Sequence, residues 1–264
     1  MIQGLYEDLK GKTALITGGL GCLGRVLCTE FAKQGTNLII LDKSQEDAVF
    51  LTELRRYQIS TEFHQVDFES GDSRSRVIEE ISKTTQRLDI LINNAAYVGS
   101  TDAPGWAVPF QDQSIDTWNK ALEVNLTTPF HLIQGLEKLL RLSDAPTIVN
   151  IGSIYGSHGP DWEIYKGTDM GNPAGYAASK GGLIQLTRWL ATTLSPKIRV
   201  NCVSPGGISR NQDISFVEKY SLRTPLKRMA TEDEIVSSIL FLSSSSANYI
   251  TGQNIQVDGG WSAW

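Results

Sequence analysis

The chain has 264 residues, 41% of them hydrophobic and 20% charged, with a formal net charge of −5 at pH 7. This composition is typical of a folded globular protein, and the acidic balance argues against a dedicated nucleic-acid-binding protein. No apolar run approaches the roughly 20 residues that cross a membrane, the N-terminal segment is too acidic for a secretory signal, and three cysteines without metal-ligand spacing fit a reducing compartment. We therefore expect one cytoplasmic domain over residues 1–264 that binds neither nucleic acid nor membrane.

Short apolar runs alternate with helical segments along the chain. A helix is expected over 24–34 with Gly35 as its C-cap, Ser44 is expected to cap the next helix, and Thr231 with Glu234 forms a capping box for a late helix. Such alternation predicts an α/β fold, a single Rossmann-like, doubly wound, mostly parallel seven-stranded sheet with helices on both faces. The predicted strands are 12–17, 37–42, 61–67, 88–95, 147–152, 198–203 and 254–258.

A glycine-rich turn, TGGLGCLG at 17–24, lies between the first predicted strand and the first predicted helix. Gly19, Gly21 and Gly24 satisfy the pattern G-x-G-x-x-G in the strand–turn–helix context that a dinucleotide site requires. Such a turn brings backbone amides at a helix N-terminus close to a pyrophosphate. We therefore expect a dinucleotide cofactor here.

Acidic residues follow the next two predicted strands. Asp42 ends the second strand, where a carboxylate accepts hydrogen bonds from the adenosine ribose and repels a 2′-phosphate. Lys43 beside it can partly accommodate such a phosphate, so NAD(H) is favoured over NADP(H) without excluding the latter. Asp67, at the end of the third strand, is expected to contact the adenine edge or to cap a helix.

Further motifs follow in order along the chain. These are LINNAA at 91–96, Asn125 within LEVNLTTPF, Ser153 closing NIGS, the Y-x-x-x-K pair Tyr176 and Lys180, and SPGGI at 204–208. Together with the glycine turn, they resemble the short-subunit branch of the short-chain dehydrogenase/reductase family from about residue 10 to residue 261. The resemblance implies a homo-oligomer, a tetramer or dimer. It assigns to the cofactor Gly18, Gly19, Gly21, Cys22, Leu23, Gly24, Asp42, Asp67, Phe68, Asn94, Ala95, Ala96, Tyr176, Lys180, Pro205, Gly206 and Ile208.

The chemistry of the Y-x-x-x-K pair follows from its spacing. Tyr176 and Lys180 are i and i+4 on one helix, so their side chains share a face. A free tyrosine has a pKa of about 10, and a neighbouring ammonium together with a positive nicotinamide ring would lower it. Tyr176 then serves as proton donor or acceptor while Ser153 binds the substrate oxygen. The resemblance adds that Lys180 binds the nicotinamide ribose and that Asn125 supports a water-linked proton relay.

The glycine turn departs from the usual short-subunit spacing. Cys22 stands in place of the middle glycine, and residues 17–24 match T-G-x-x-G-x-x-G, the pattern of the extended branch that includes sugar-nucleotide epimerases. A chain of 264 residues lacks room for that branch's second domain, and the NNAA, PGG and QVDGG segments are short-subunit features. We expect Cys22 to be a small buried packing residue and not a reactive thiol, although a helix N-terminus could also favour its thiolate.

A second departure is an insertion at about 156–175, between Ser153 and Tyr176. It is interpreted either as a wall of the substrate pocket or as a surface or subunit-contact loop. Its polarity favours a sugar, a polyol or a sugar phosphate as substrate. A mobile substrate loop is expected at about 208–227. The candidate substrate residues are Trp106, His158, Trp162, Tyr165 and Arg210.

The resulting hypothesis is an NAD(H)-dependent oxidoreductase that transfers hydride to or from a secondary alcohol or ketone. The alternatives are a sugar epimerase or dehydratase that retains its NAD, a 3-oxoacyl-type carbonyl reductase, and a non-catalytic NAD-sensing protein. A weaker resemblance connects the insertion and its flanks to dehydrogenases of bacterial surface-sugar biosynthesis, including flagellin modification. No metal site is expected, because the three histidines have no ligand partners at useful spacing.

Overall fold

The computed structural model describes residues 6–98 and 103–264. Its seven strands form one parallel sheet in the order β3-β2-β1-β4-β5-β6-β7. This is the predicted doubly wound arrangement, and the order reverses between β1 and β4, where such folds bind ligands. The strands are β1 Thr13–Thr17, β2 Asn37–Asp42, β3 Thr61–Gln65, β4 Ile90–Asn93, β5 Thr147–Ile151, β6 Arg199–Pro205 and β7 Asn254–Val257.

Helices cover both faces of the sheet and account for its near-continuous apolar strands. Ile16 of β1 packs into one core with α1 and α8, whereas its neighbour Leu15 points to the other core, formed with α3, α5 and α6. None of the described helices is long and apolar enough to span a membrane. The helices are α1 Cys22–Lys33, α2 Ala48–Arg55, α3 Gly71–Thr84, α4 Ile115–Leu122, α5 Thr128–Arg141, α6 Ala174–Leu194, α7 Ile214–Arg223 and α8 Glu232–Ser243.

Local signals in the sequence predicted two helix ends correctly and one wrongly. Gly35 follows α1 in the left-handed region with φ 76°, and Thr231 forms the expected capping box. The cap of α2, however, is Asp47, whose side chain accepts from the Phe50 amide at 3.0 Å. Ser44 was the wrong choice, since it lies before the cap position, in the segment after β2, where its own amide donates to Asp42 at 2.9 Å.

Strand ends and loops also differ from the predictions. β3 ends two residues earlier than expected, and β4 is confined to Ile90–Asn93 within the predicted 88–95. The segment 208–227, expected as a loop, contains α7. The insertion forms short 3₁₀ turns at Ile154–Gly156 and Trp162–Tyr165.

Candidate active site

A cavity of about 500 Å³ opens at the carboxyl ends of the strands, at the point where the strand order reverses. Every residue that the sequence assigned to the cofactor lines it, except Gly19. Gly19 lies behind the turn, where a Cβ atom would come within 2.6 Å of Ile40 Cγ2. The expectation that Cys22 is buried was wrong, because Cys22 begins α1 at the mouth of the cavity and is exposed. Ser153, Tyr176 and Lys180 line the same cavity, so the glycine turn and the Y-x-x-x-K pair share one space.

The glycine turn packs against its own backbone. Gly18 has φ 65°, and a Cβ atom on Gly24 would overlap the Gly18 carbonyl oxygen and lie 2.7 Å from Gly19 Cα. Gly21 is the N-cap of α1 and provides no side-chain cap, and the first turn carries no acidic residue. The first amides of α1, which no helical carbonyl can satisfy, are therefore available to an anion in the cavity.

Asp42 is fixed at the edge of the cavity by two backbone amides. It is buried, and its carboxylate accepts from Leu20 N and Ser44 N, each at 2.9 Å. These contacts orient the carboxylate and leave lone pairs for further donors. Lys43 is exposed and also lines the cavity. Asp67 lines it as well, and its carboxylate accepts from the Glu69 amide at 3.0 Å.

Ser153 follows β5, and α6 presents Tyr176 and Lys180 one turn apart. The Lys180 Nζ atom lies 5.9 Å from the centre of the Tyr176 ring and donates to the Ile151 carbonyl at 2.7 Å. Because Ile151 ends β5, this bond ties the lysine to the strand that precedes Ser153. The Lys180 side chain is therefore held beside the end of β5, next to Ser153.

Burial controls the protonation of both residues of the pair. Desolvation raises the pKa of Tyr176, while hydrogen bonding from Ser153 and the positive charge of Arg210 act in the opposite direction. Desolvation lowers the pKa of Lys180 to about 8. The sequence suggested that the lysine and a bound, positively charged nicotinamide ring would together lower the tyrosine's pKa, and only the lysine's part can be compared with the protein alone. In the structure burial prevails, because the neutral phenol is favoured away from water, and the opposing cation is Arg210.

Asn125 does not line the cavity but lies directly behind it. It is fully buried in a π-helical turn, Glu123–Thr127, between α4 and α5. Its amide donates to Ser179 Oγ at 3.0 Å and to the Tyr97 carbonyl, and its oxygen accepts from the Tyr97 amide at 2.6 Å. Asn125 thus connects the segment after β4 to the residue before Lys180.

The insertion packs against α7. Tyr165 is buried in a cluster with Phe216 and Tyr220 of α7 and with Trp261. Its hydroxyl is 2.6 Å from that of Tyr155. Two polar contacts reinforce the docking, from Lys219 Nζ to the Lys166 carbonyl and between Arg223 and Asp161 at 3.2 Å.

Of the five candidate substrate residues, Arg210 lines the cavity and the other four do not. Trp106 is buried and donates to the Val98 carbonyl, and Trp162 is 56% exposed. His158 lies edge-on to Trp261. Among the described residues, none between 156 and 175 lines the cavity, so the direct-contact interpretation of the insertion has no support there. The insertion does approach the catalytic helix, because Gly156 packs against the Lys180 backbone.

The sequence left other cavity-lining residues unassigned. Ser44, Glu69 and Gln212 lie in the segments that follow β2, β3 and β6. The sequence could have indicated them, because ligands in this kind of fold bind at the carboxyl ends of the strands, so the residues after every predicted strand are candidates. The additional lining residues are Leu20, Lys43, Ser44, Glu69, Tyr97, Val98, Val124, Ile151, Gly152 and Gln212.

Comparison with known proteins gives consistent matches over nearly the whole chain. A family model described as enoyl-(acyl carrier protein) reductase matches residues 20–262. A 3-oxoacyl-[acyl-carrier-protein] reductase from Aquifex aeolicus is 31% identical over 96% of this chain and 98% of its own.

Two solved structures are similar throughout. A short-chain dehydrogenase from Leptospira borgpetersenii with bound NAD+ has a TM-score of 0.85 and 33% identity, covering 99% of this chain and 97% of its own. A gluconate 5-dehydrogenase from Burkholderia cenocepacia in complex with NADP and tartrate has a TM-score of 0.84 and 25% identity, covering 97% of each chain.

Proposed function

The chain belongs to the short-chain dehydrogenase/reductase family of nicotinamide-dependent oxidoreductases, and we propose that it oxidises or reduces a sugar, polyol or sugar-phosphate-like substrate with NAD(H). The observation that carries this proposal is the shared cavity. Ser153, Tyr176 and Lys180 line the same space as the glycine turn and Asp42. A substrate bound beside Tyr176 is therefore next to the place where the cofactor's reactive end would lie.

The residues present fit a dinucleotide. The unpaired amides at the start of α1 suit a pyrophosphate, and the close packing of Gly24 on Gly18 leaves that helix end open to it. The buried Asp42 carboxylate suits ribose hydroxyls and disfavours a 2′-phosphate. We therefore favour NAD(H) over NADP(H).

The chemistry divides between the cofactor and four side chains. When bound, the nicotinamide supplies the hydride acceptor or donor. The Tyr176 hydroxyl gives its proton to the carbonyl oxygen during reduction and takes the alcohol's proton during oxidation. Ser153 donates a hydrogen bond to that oxygen as charge develops on it. Lys180, whose pKa is lowered to about 8 by burial, can exchange a proton near neutral pH. Asn125 positions Ser179, the α6 residue before Lys180, by donating a hydrogen bond to its hydroxyl.

The polar substrate class is supported by Arg210 and Gln212, which line the cavity, and by the likeness to a gluconate 5-dehydrogenase. A 3-oxoacyl-type carbonyl reductase is the second candidate, supported by the similarity to the Aquifex enzyme.

The exposed Phe130 on α5 and Trp189 on α6 support assembly as a tetramer or dimer. The free thiols of Cys22, Cys28 and Cys202 fit a reducing compartment such as the cytoplasm.

The test is a panel of polyols, sugar acids, sugar phosphates and 3-hydroxyacyl thioesters, each with NAD and with NADP, followed by absorbance of the reduced cofactor. We expect stoichiometric NADH from at least one sugar-like compound. Product formed without net NADH would indicate the epimerase or dehydratase alternative. Tight NAD binding with no turnover of any compound would contradict the proposal.

A further inference from the structure

Arg210 is the one residue of the original substrate candidates that reaches the cavity. It lies in the loop between β6 and α7 and lines the cavity together with Ser153, Tyr176 and Gln212. Its positive charge is close enough to Tyr176 to act on that phenol, where it lowers the pKa against the effect of burial. Arg210 therefore belongs to the reactive part of the cavity.

The arginine is held in place from three sides. Its backbone amide donates to Gln212 Oε1 at 2.6 Å, and Gln212 Nε2 donates in turn to the Ile208 carbonyl at 2.7 Å. The Ser209 amide donates to the Ala230 carbonyl at 2.8 Å and fastens the loop to the segment before α8. Nε of the guanidinium donates to Glu232 at 3.0 Å. The side chain thus has a defined direction although it is 45% exposed.

The contacts of Arg210 leave its best donors available. Within the described parts of the chain, the two terminal guanidinium nitrogens have no hydrogen-bond partner. A planar pair of N–H donors matches the two oxygens of a carboxylate or phosphate and binds them more strongly than a neutral group. A neutral hydroxyl would use only one of these donors.

The acidic lining residues of the cavity lie at one end, beside the exposed Lys43, and the charged residues that line the other end are both positive. The acidic residues are Asp42, Asp67 and Glu69, which follow β2 and β3. In the strand order these strands are four and five positions from β6, or about 19 Å and more at the usual strand spacing. Lys180 and Arg210 are the charged lining residues near Tyr176, and Glu232 offsets only part of this charge. The substrate end of the cavity therefore favours an anion.

We infer that Arg210 binds a carboxylate or phosphate carried by the substrate, so that the enzyme acts on a sugar acid or sugar phosphate in preference to the neutral sugar or polyol. This inference rests on the proposed function, since it assumes that the substrate lies beside Tyr176. The cofactor's pyrophosphate offers the same chemistry to a guanidinium. The test therefore has to separate an anion on the substrate from an anion on the cofactor.

The experiment measures binding, so that it does not depend on turnover. Three matched pairs are titrated into the NADH-saturated protein, which cannot oxidise an alcohol, by calorimetry, namely tartrate with threitol, gluconate with sorbitol, and glucose 6-phosphate with glucose. The variants are Arg210→Gln, which removes the charge, and Arg210→Lys, which keeps it without the planar fork. NADH affinity is measured separately for each protein, and circular dichroism checks the fold.

We expect at least one acid to bind the wild type roughly 10- to 100-fold more tightly than its neutral partner, as charged hydrogen bonds allow. Arg210→Gln should remove this preference and leave NADH affinity within about twofold, while Arg210→Lys should retain part of it. Equal binding of acids and neutral partners by the wild type overturns the inference. So does an acid preference that survives in Arg210→Gln. A loss of NADH affinity with the preference intact also overturns it and assigns Arg210 to the cofactor.

The anion site and the proposed reaction are refuted by different results. An acid preference that depends on Arg210 in a protein with no turnover would refute the proposed reaction and not the anion site. NADH formation from a neutral polyol, with no acid preference, would refute the anion site and not the reaction.

Discussion

Replacing Gly24 by alanine should destabilise the protein and weaken cofactor binding, although alanine is the better helix former. The new methyl group would overlap the Gly18 carbonyl oxygen and lie 2.7 Å from Gly19 Cα. Both are backbone atoms, so no side chain can rotate away and the turn itself must open. Overpacking of this kind costs about 1–3 kcal/mol, against a gain of up to about 1 kcal/mol in helix propensity. Because both clashing atoms belong to the backbone, we place the cost at the upper end of this range, about 2–3 kcal/mol, and expect a net loss of about 1–2 kcal/mol.

The assay combines urea unfolding with fluorescence titration of NADH. Opening the turn moves the first amides of α1, and a cost of about 1.4 kcal/mol in the bound conformation corresponds to about tenfold weaker NADH binding. Gly71→Ala is the matched control, because this first-turn glycine of α3 meets only Arg74 Nη2 at 3.6 Å. It should be neutral or stabilising. A Gly24→Ala protein as stable as the wild type, with unchanged NADH affinity, would refute the reasoning.

Three further predictions concern charge. Burial lowers the pKa of Lys180 to about 8, so the unfolded chain binds more protons than the folded one between about pH 8 and the ordinary lysine pKa. The free energy of unfolding of the wild type, measured by chemical denaturation, should therefore increase by on the order of 3 kcal/mol relative to that of Lys180→Met as the pH rises through this interval. Asp42→Ala should shift the NADPH to NADH ratio of kcat/KM roughly 10- to 100-fold toward NADPH, whereas Asp67→Asn should affect both cofactors alike. Arg74 is buried and paired with Glu123 at 2.9 Å, so Arg74→Met should lower the free energy of unfolding by about 1–3 kcal/mol.

Each of these has an outcome that contradicts it. A stability difference between wild type and Lys180→Met that does not change with pH would mean that Lys180 is not desolvated. An unchanged cofactor ratio in Asp42→Ala would remove the argument for NAD(H). Arg76→Met, on the exposed side of α3, is the control for Arg74. Equal effects of the two substitutions would show that burial of Arg74 does not matter.

Local patterns predicted much of the fold and of the cofactor end of the cavity. The strand–glycine–helix order and the acid after β2 are encoded within a few residues, so Gly24 and Asp42 could be placed from the sequence. The cap of α2 could not, because Ser44 and Asp47 are both residue types that cap helices, and it is the Asp47 carboxylate that accepts from the Phe50 amide. That competition between two nearby side chains is visible only in three dimensions.

The substrate end was harder to predict for the same reason. The insertion looks like a pocket wall in sequence, yet Tyr165 packs on Phe216 and Trp261, which are distant in the chain. The effect of burial on Tyr176 was also underestimated, because spacing shows which charges are near but not how much water is excluded. Arg210 was only one of several options until the structure showed that it lines the cavity beside Ser153 and Tyr176.

The most direct test of the account is turnover by Tyr176→Phe compared with Tyr165→Phe, using NAD and the best compound of the substrate panel. Tyr165 is a neighbouring buried tyrosine that does not line the cavity. We predict that Tyr176→Phe lowers kcat at least about a hundredfold, as loss of general acid–base catalysis does, with NADH affinity unchanged, and that Tyr165→Phe retains turnover. Full activity of Tyr176→Phe would contradict the proposed proton transfer.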